Sequence, residues 1–378
     1  MDRKPYEIGD EIRLWSAYVP EETGAEVDKV LRSKWINTGK QEAQLRKNFS
    51  EKFNIPFCVA TNSGTSSLRA SLAMLGVGPG DEVVSTPYTF IATNTSILEQ
   101  GAKPVFADIQ YETLNIDPES IVKNITSKTK AIMCVHYGGN ACDMDAIRKI
   151  GRDYNLPIIE DSAHAIGSKY KDDYIGAKGD VITFSLQAIK IITSGDGGMI
   201  TTPNEEYYKK LKQYVWFGVD RENKKTSPID PLPDEIDILG FKYNMNDITA
   251  TIGIVGLKHL DEALARRKII GERYRRELAN CSKIKLIHIP SENTPNFQIF
   301  PIHVQGREQF AAFMREHGIF INVNNRRNDR YSIFGGMRQD LPALARADED
   351  TILIPIHCDL SDTDVDKIID TIKKYDTQ

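Results

Sequence analysis

The chain is poor in several features that would narrow its role, and each absence excludes something. It has five cysteines in 378 residues (Cys58, Cys134, Cys142, Cys281 and Cys358), with no CxxC pair among them. Cys58, Cys134 and Cys358 lie in or beside apolar runs, as small core residues do, so neither zinc ligation nor a disulfide framework is expected. A reducing cytoplasm suits that usage. No apolar run reaches 18 residues, so no membrane span is expected. The opening MDRKPYEIGDEIRLW lacks the apolar centre of a secretory signal. There is no excess of basic charge: the net charge is −5 and the pI near 5.9, which argues against a nucleic-acid surface. Internal repeats and low-complexity tracts are also missing.

What remains reads as an α/β enzyme, and the length makes two domains the starting expectation. Residues 23–53 read as two helices broken by the turn WINTGK, and residues 64–75 as a helix opening on a Gly/Ser/Thr turn. Short, nearly continuous apolar runs follow at 81–87, 103–109, 130–137, 156–161 and 180–186, with helical patterns at 92–100 and 143–154 between them. Such strands are those of a largely parallel sheet covered on both faces. A proline-rich polar stretch at 220–237 reads as a long surface loop. The pattern at 246–278 predicts one long linking helix. Strand-like runs at 284–290, 297–304 and 351–357, with helices at 307–318 and 362–375, predict a small C-terminal α+β domain. The expected division is 1–255 for the large domain and 256–378 for the small one.

Two residues carry the chemistry. Asp161 ends the apolar run LPIIED, and in open parallel sheets ligands sit beyond the carboxyl ends of strands. Lys190 lies 29 positions on, in QAIKIITSGDGG, with apolar flanks unusual for a surface lysine. Desolvation there lowers an amine's pKa and favours the neutral form that attacks an aldehyde. A Schiff-base lysine and a carboxylate that keeps a ring nitrogen protonated are the two anchors of pyridoxal 5′-phosphate (PLP). Ser63-Gly64-Thr65-Ser66 opens a helix whose free N–H groups suit a phosphate, and Ser185 could add a hydroxyl. The same SGTS is also a plain N-cap, and Ser185 a plain strand serine. Phe90 and His164 are candidates for ring contacts or for core. Gly195, Gly197 and Gly198 let the chain turn tightly near the lysine, as an ordinary hairpin would. Among Arg326, Arg327 and Arg330, some could read an anionic substrate and at least one is expected to be merely solvated.

The segments WINTGKQEAQLRKNFSEKF, VATNSGTSSLRASLAMLGVGPGDEVVSTPYTFIATNTSIL, EDSAHAIGSKY, GDVITFSLQAIKIITSGDGGMITT and GFKYNMNDITATIG together resemble the DegT/StrS family of sugar aminotransferases, of fold-type I. The resemblance implies that Lys190 is the Schiff-base lysine and Asp161 the partner of the pyridine nitrogen. It puts His164 near the phenolic oxygen, Phe90 on the ring face, and Gly64, Thr65 and Ser185 at the phosphate. Asn244 would reach the phosphate of a neighbouring subunit, which implies a homodimer with shared sites. Lys190, rather than the histidine of a dehydrating branch, implies transamination, with glutamate as donor and a nucleotide-linked 4-keto-6-deoxy sugar as acceptor. The product class implied is an amino sugar for surface polysaccharide, lipopolysaccharide included. Trp35, Asn37, Thr38, Arg326, Arg330 and the 220–237 loop are candidate sugar contacts. Many members carry a compact HYP-type motif where this chain reads GIFINVNNRRNDRYSIFGG, which leaves the sugar's identity open. A 3-keto or non-nucleotide sugar, a PLP lyase or aldolase, and a non-catalytic regulator are the alternatives.

Overall fold

The computed structural model describes residues 11–221, 235–323 and 326–378. Most of the 220–237 loop therefore lies outside the described residues.

A seven-stranded sheet organises the larger part of the chain. Its strands are β1 (Phe57–Thr61), β2 (Glu82–Ser85), β3 (Lys103–Phe106), β4 (Thr129–Val135), β5 (Ile158–Asp161), β8 (Val181–Ser185) and β9 (Gly198–Thr202). The pairs β6 (Lys169–Tyr170) with β7 (Asp173–Tyr174), and β6 with β11 (Asn293–Thr294), form a small separate sheet. The order in the large sheet is β1-β9-β8-β5-β4-β2-β3. All neighbours from β8 to β3 are parallel, and β9 alone runs against β8 and β1. The carboxyl ends of β1, β8, β5, β4 and β2 therefore share one edge. Ile132, Met133 and Cys134 of β4 and Val181 and Ile182 of β8 are fully buried, as strands covered on both faces require.

The covering helices are α1 (Thr23–Ser33), α2 (Lys40–Phe53), α3 (Gly64–Met74), α4 (Ile91–Glu99), α5 (Pro118–Asn124), α6 (Met144–Tyr154), α7 (Glu205–Tyr214) and α8 (Asp247–Lys258). Their starts are written in the sequence: Ser63, Asp117, Asp143, Asn204 and Asn246 each accept a backbone N–H of the first turn. The start of α2 is an exception. Its own N-cap, Gly39, offers no side chain. The Asp247 carboxylate takes the N–H groups of Gly39 (2.8 Å), Gln41 (3.3 Å) and Glu42 (3.0 Å) instead. Bonds to a charged acceptor contribute about 1.5–3 kcal/mol each, so this clamp fixes the WINTG turn against the start of α8.

The single linking helix expected over 246–278 is two helices. The chain leaves helical geometry at His259 (φ −95°, ψ 8°) and resumes as α9 (Leu260–Glu277). The apolar period runs unbroken through the kink, which is why it reads as one helix. Beyond it, β10 (Ile284–Leu286), β12 (Phe300–Val304) and β13 (Thr351–Ile354) form an antiparallel sheet with α10 (Arg307–Glu316), α11 (Pro342–Asp350) and α12 (Asp362–Thr377). Ile12 joins this second core and pairs with Ile319, so the amino-terminal segment packs with the C-terminal part. We propose that the chain divides into its two domains near residue 255, with that segment crossing over.

Candidate active site

The site residues gather at the shared carboxyl edge of the large sheet. Asp161, the last residue of β5, is 4% exposed. Its Oδ2 accepts the Thr93 hydroxyl at 2.7 Å and its Oδ1 the Ala163 N–H at 3.1 Å. Burial pushes its pKa up, opposed first by the Thr93 bond, then by the Ala163 N–H and the Lys190 charge. Two donors aimed at a carboxylate hold it as an acceptor.

Lys190 lies in the connection between β8 and its antiparallel neighbour β9, so the hairpin reading of the glycines and the catalytic reading of the lysine describe one loop. The side chain is half-buried, and its amine makes no hydrogen bond or ion pair among the described residues. Desolvation brings its pKa down to about 8, with Asp161 pulling the other way. The rate at which cofactor-free protein captures PLP is therefore expected to climb with pH through about 8 and then level off. An ordinary lysine would carry the climb to about 10.4. Stopped-flow absorbance checks this, and a midpoint above 10 on that assay rules out a desolvated amine.

His164 is buried, and desolvation, then the Lys190 charge, hold its pKa well below the usual imidazole range. The Gly138 N–H donates to its Nδ1 at 3.4 Å. The neutral ring must then carry its proton on Nε2. Gly138 (φ +66°) and Gly139 (φ +89°) make this turn possible: a Cβ on residue 139 would fall 1.9 Å from Asn296 Oδ1.

The start of α3 sits directly on the end of β8. A Cβ on residue 64 would lie 3.0 Å from Ser185 Cβ and 3.2 Å from its Oγ. Glycine at 64 thus lets a helix amino terminus and a buried hydroxyl meet, the donor set a phosphate needs. Thr65 follows in the same first turn. Phe90, just before α4, is 61% exposed and has no ring partner among the described residues. Amine, carboxylate, imidazole and phosphate-type cradle together fit PLP.

A second group forms around α8. The Asn244 Nδ2 donates to Thr38 Oγ1, which donates to the Met245 carbonyl at 2.6 Å, while Asn244 Oδ1 is buried without a partner among the described residues. Asn37 Oδ1 accepts the Thr38 N–H, and Trp35, 62% exposed, donates its indole N–H to the Thr38 carbonyl at 3.3 Å. The arginine cluster divides. Arg326 and Arg330 are exposed, whereas Arg327 is 2% exposed and forks onto Asp329 at 2.7 and 2.6 Å. Arg327 is therefore structural.

A model of the DegT/DnrJ/EryC1/StrS aminotransferase family matches residues 18–373. The chain belongs to that family. It is a PLP-dependent sugar aminotransferase of fold-type I. The protein MJ1066 of Methanocaldococcus jannaschii, itself uncharacterized, is 37% identical over 367 residues, covering 94% of this chain and 95% of its own. The spore coat polysaccharide biosynthesis protein SpsC of Bacillus subtilis is 33% identical over 361 residues, covering 92% of each. The sugar aminotransferase CalS13 of Micromonospora echinospora superposes with a TM-score of 0.90 at 28% identity, over 96% of this chain and 99% of that one.

Two residues that bond to the candidates, Thr93 on Asp161 and Gly138 on His164, are hard to find in the sequence. Thr93 reads as an ordinary helix residue, and hydroxyls at i and i+4 (Thr89, Thr93) on a helix start are the signal that marks it. Gly138 gave none beyond the unusual pair of glycines in HYGGN.

Proposed function

We propose that this aminotransferase moves an amino group from glutamate to a nucleotide-linked 4-keto-6-deoxy sugar, supplying amino sugars for surface polysaccharide, and that it works as a cytoplasmic homodimer. The observation that carries the catalytic part is a half-buried, desolvated lysine amine, unpaired among the described residues, in the field of a buried carboxylate held by two donors. The name of the SpsC relative supports the polysaccharide setting. PLP, when bound, supplies an aldehyde and a ring that can take up electrons.

The chain's own residues do the rest in this reading. Lys190 Nζ holds the cofactor between turnovers. Once free of that bond, the Lys190 amine would serve as the general base and acid of both half-reactions, taking the proton from the donor's α-carbon and supplying one at the sugar carbon. Asp161 keeps a proton on the ring nitrogen, and Thr93 keeps Asp161 in place. His164 Nε2–H donates to the phenolic oxygen. Gly64, Thr65 and Ser185 hold the phosphate, and Phe90 covers one ring face. Asn244 of one protomer serves its partner's phosphate: with its amide turned by half a rotation, and the Thr38 hydroxyl turned from the Met245 carbonyl to Asn244 Oδ1, a donor would replace the orphaned acceptor. Exposed Trp35 (62%) and Ile36 (49%) beside it suit a protein interface. Trp35, Asn37, Thr38, Arg326 and Arg330 are assigned to the sugar and its phosphates.

The test is incubation of the enzyme with 15N-glutamate and a panel of keto-sugar nucleotides. The expected products are 2-oxoglutarate and a 15N-labelled amino sugar from a 4-keto substrate, read by mass spectrometry. Label appearing only from 3-keto or nucleotide-free sugars, or turnover without 2-oxoglutarate, overturns the assignment.

A further inference from the structure

The arginine-rich segment after α10 has a use other than anion reading. Between Arg327 and Asp329 sits Asn328, 1% exposed. Its Nδ2 donates to the Thr89 carbonyl at 2.9 Å, and its Oδ1 accepts the Asn94 Nδ2 at 2.8 Å. Its backbone N–H donates to the Pro87 carbonyl at 2.8 Å. Asn94 also donates to the Thr86 carbonyl at 2.9 Å. One residue of the C-terminal part thus holds the whole connection from β2 to α4. The Arg327–Asp329 fork on either side is itself tied down, because Arg327 donates to the Arg338 carbonyl and Asp329 accepts the Arg338 N–H, both at 2.9 Å.

That connection leads straight to the ring site. It ends at exposed Phe90. Thr89 and Thr93 hydroxyls lie 2.8 Å apart, and Thr93 lies 2.7 Å from Asp161 Oδ2. An ionised carboxylate can only accept, so Thr93 donates to it, and Thr89 must donate to Thr93. The chain of donors has one direction, and its first member is placed by the bond from Asn328 to the Thr89 carbonyl.

We propose that Asn328 is a positioning residue for the cofactor ring: it fixes the Thr86–Phe90 connection and, through Thr89 and Thr93, the orientation of the Asp161 carboxylate. The C-terminal part thereby sets geometry in a cleft built by the sheet. The inference rests on the assignment of Asp161 and Phe90 to the ring.

The experiment uses full-length protein stripped of cofactor: wild type, Asn328→Ala, Asn94→Ala and the double variant. PLP is titrated into each and followed by absorbance and by visible circular dichroism, which reports how the ring is held. Each single variant is expected to bind PLP about tenfold more weakly, the loss of a buried bridge. Each should also show an altered circular-dichroism band. The double variant should lose less than the two single losses combined, since the bond between the two asparagines is shared. Wild-type affinity and an unchanged band in the single variants, even with lowered thermal stability, would mean a merely structural asparagine and overturn the proposal. Should Asn328→Ala fail to fold, Asn328→Asp, which keeps an acceptor for Asn94 and removes the donor to the Thr89 carbonyl, decides in its place by the same two readouts. A wild-type protein that takes up no PLP overturns the assignment of the cleft, a failure separable from that of Asn328.

Discussion

Lys190→Ala is expected to fold and to bind PLP without covalent attachment, while turning over about a thousandfold more slowly than wild type. The size follows from the two jobs on one amine: it tethers the cofactor and moves the proton, and the depressed pKa of about 8 suits both near neutral pH. Among the described residues Lys190 is the lysine whose charge bears on Asp161, so a bystander lysine has no route to the work. Borohydride treatment of the wild type, followed by peptide mass mapping, should place the cofactor's mass on Lys190. Label on a different lysine, or full activity in the alanine variant, would sink the assignment.

The second large effect belongs to the opposite end of the ring. Asp161→Asn keeps the size of the side chain and removes its charge. The Thr93 hydroxyl and Ala163 N–H, which now converge on two carboxylate oxygens, would meet an amide that accepts on one side only. A neutral amide cannot hold a protonated ring nitrogen, so turnover is expected to fall about a hundred- to a thousandfold, with modest change in sugar KM. A split of that kind separates lost transition-state stabilisation from lost binding. A raised KM with near-normal kcat at saturation would show Asp161 to be a mere binding group.

Much of this was legible in the residues because the strands of the large sheet are short, β-branched and buried on both faces, which leaves a periodicity that few other folds imitate. Asp161 and Lys190 stood out for a related reason: one ionisable group ends an apolar run and the other is flanked by apolar residues on both sides, where chance rarely puts one. The strands at 57–61 and 198–202 were harder. FCVAT lies between a proline and an NSG turn, and GMITT follows glycines that read as a turn by themselves. The helix break at His259 leaves the apolar period intact and so has no signature. Arg327 reads like its exposed neighbours Arg326 and Arg330; only Asp329, two residues on and folded back against it, tells them apart. Pairings of this kind depend on distance in space. A linear pattern records only distance along the chain.

The clamp of Asp247 on the first turn of α2 has a consequence for the order of events at the ribosome. The first bond of that clamp joins residues 208 positions apart. The helix is translated early, yet the acceptor for its opening amides emerges only after the entire large sheet has been made. Until then the amino-terminal hairpin has to wait, its turn loose in water. The WINTG loop should thus be among the last parts of the nascent large domain to gain protection from hydrogen exchange, closing only when the second half of the polypeptide arrives to fasten it.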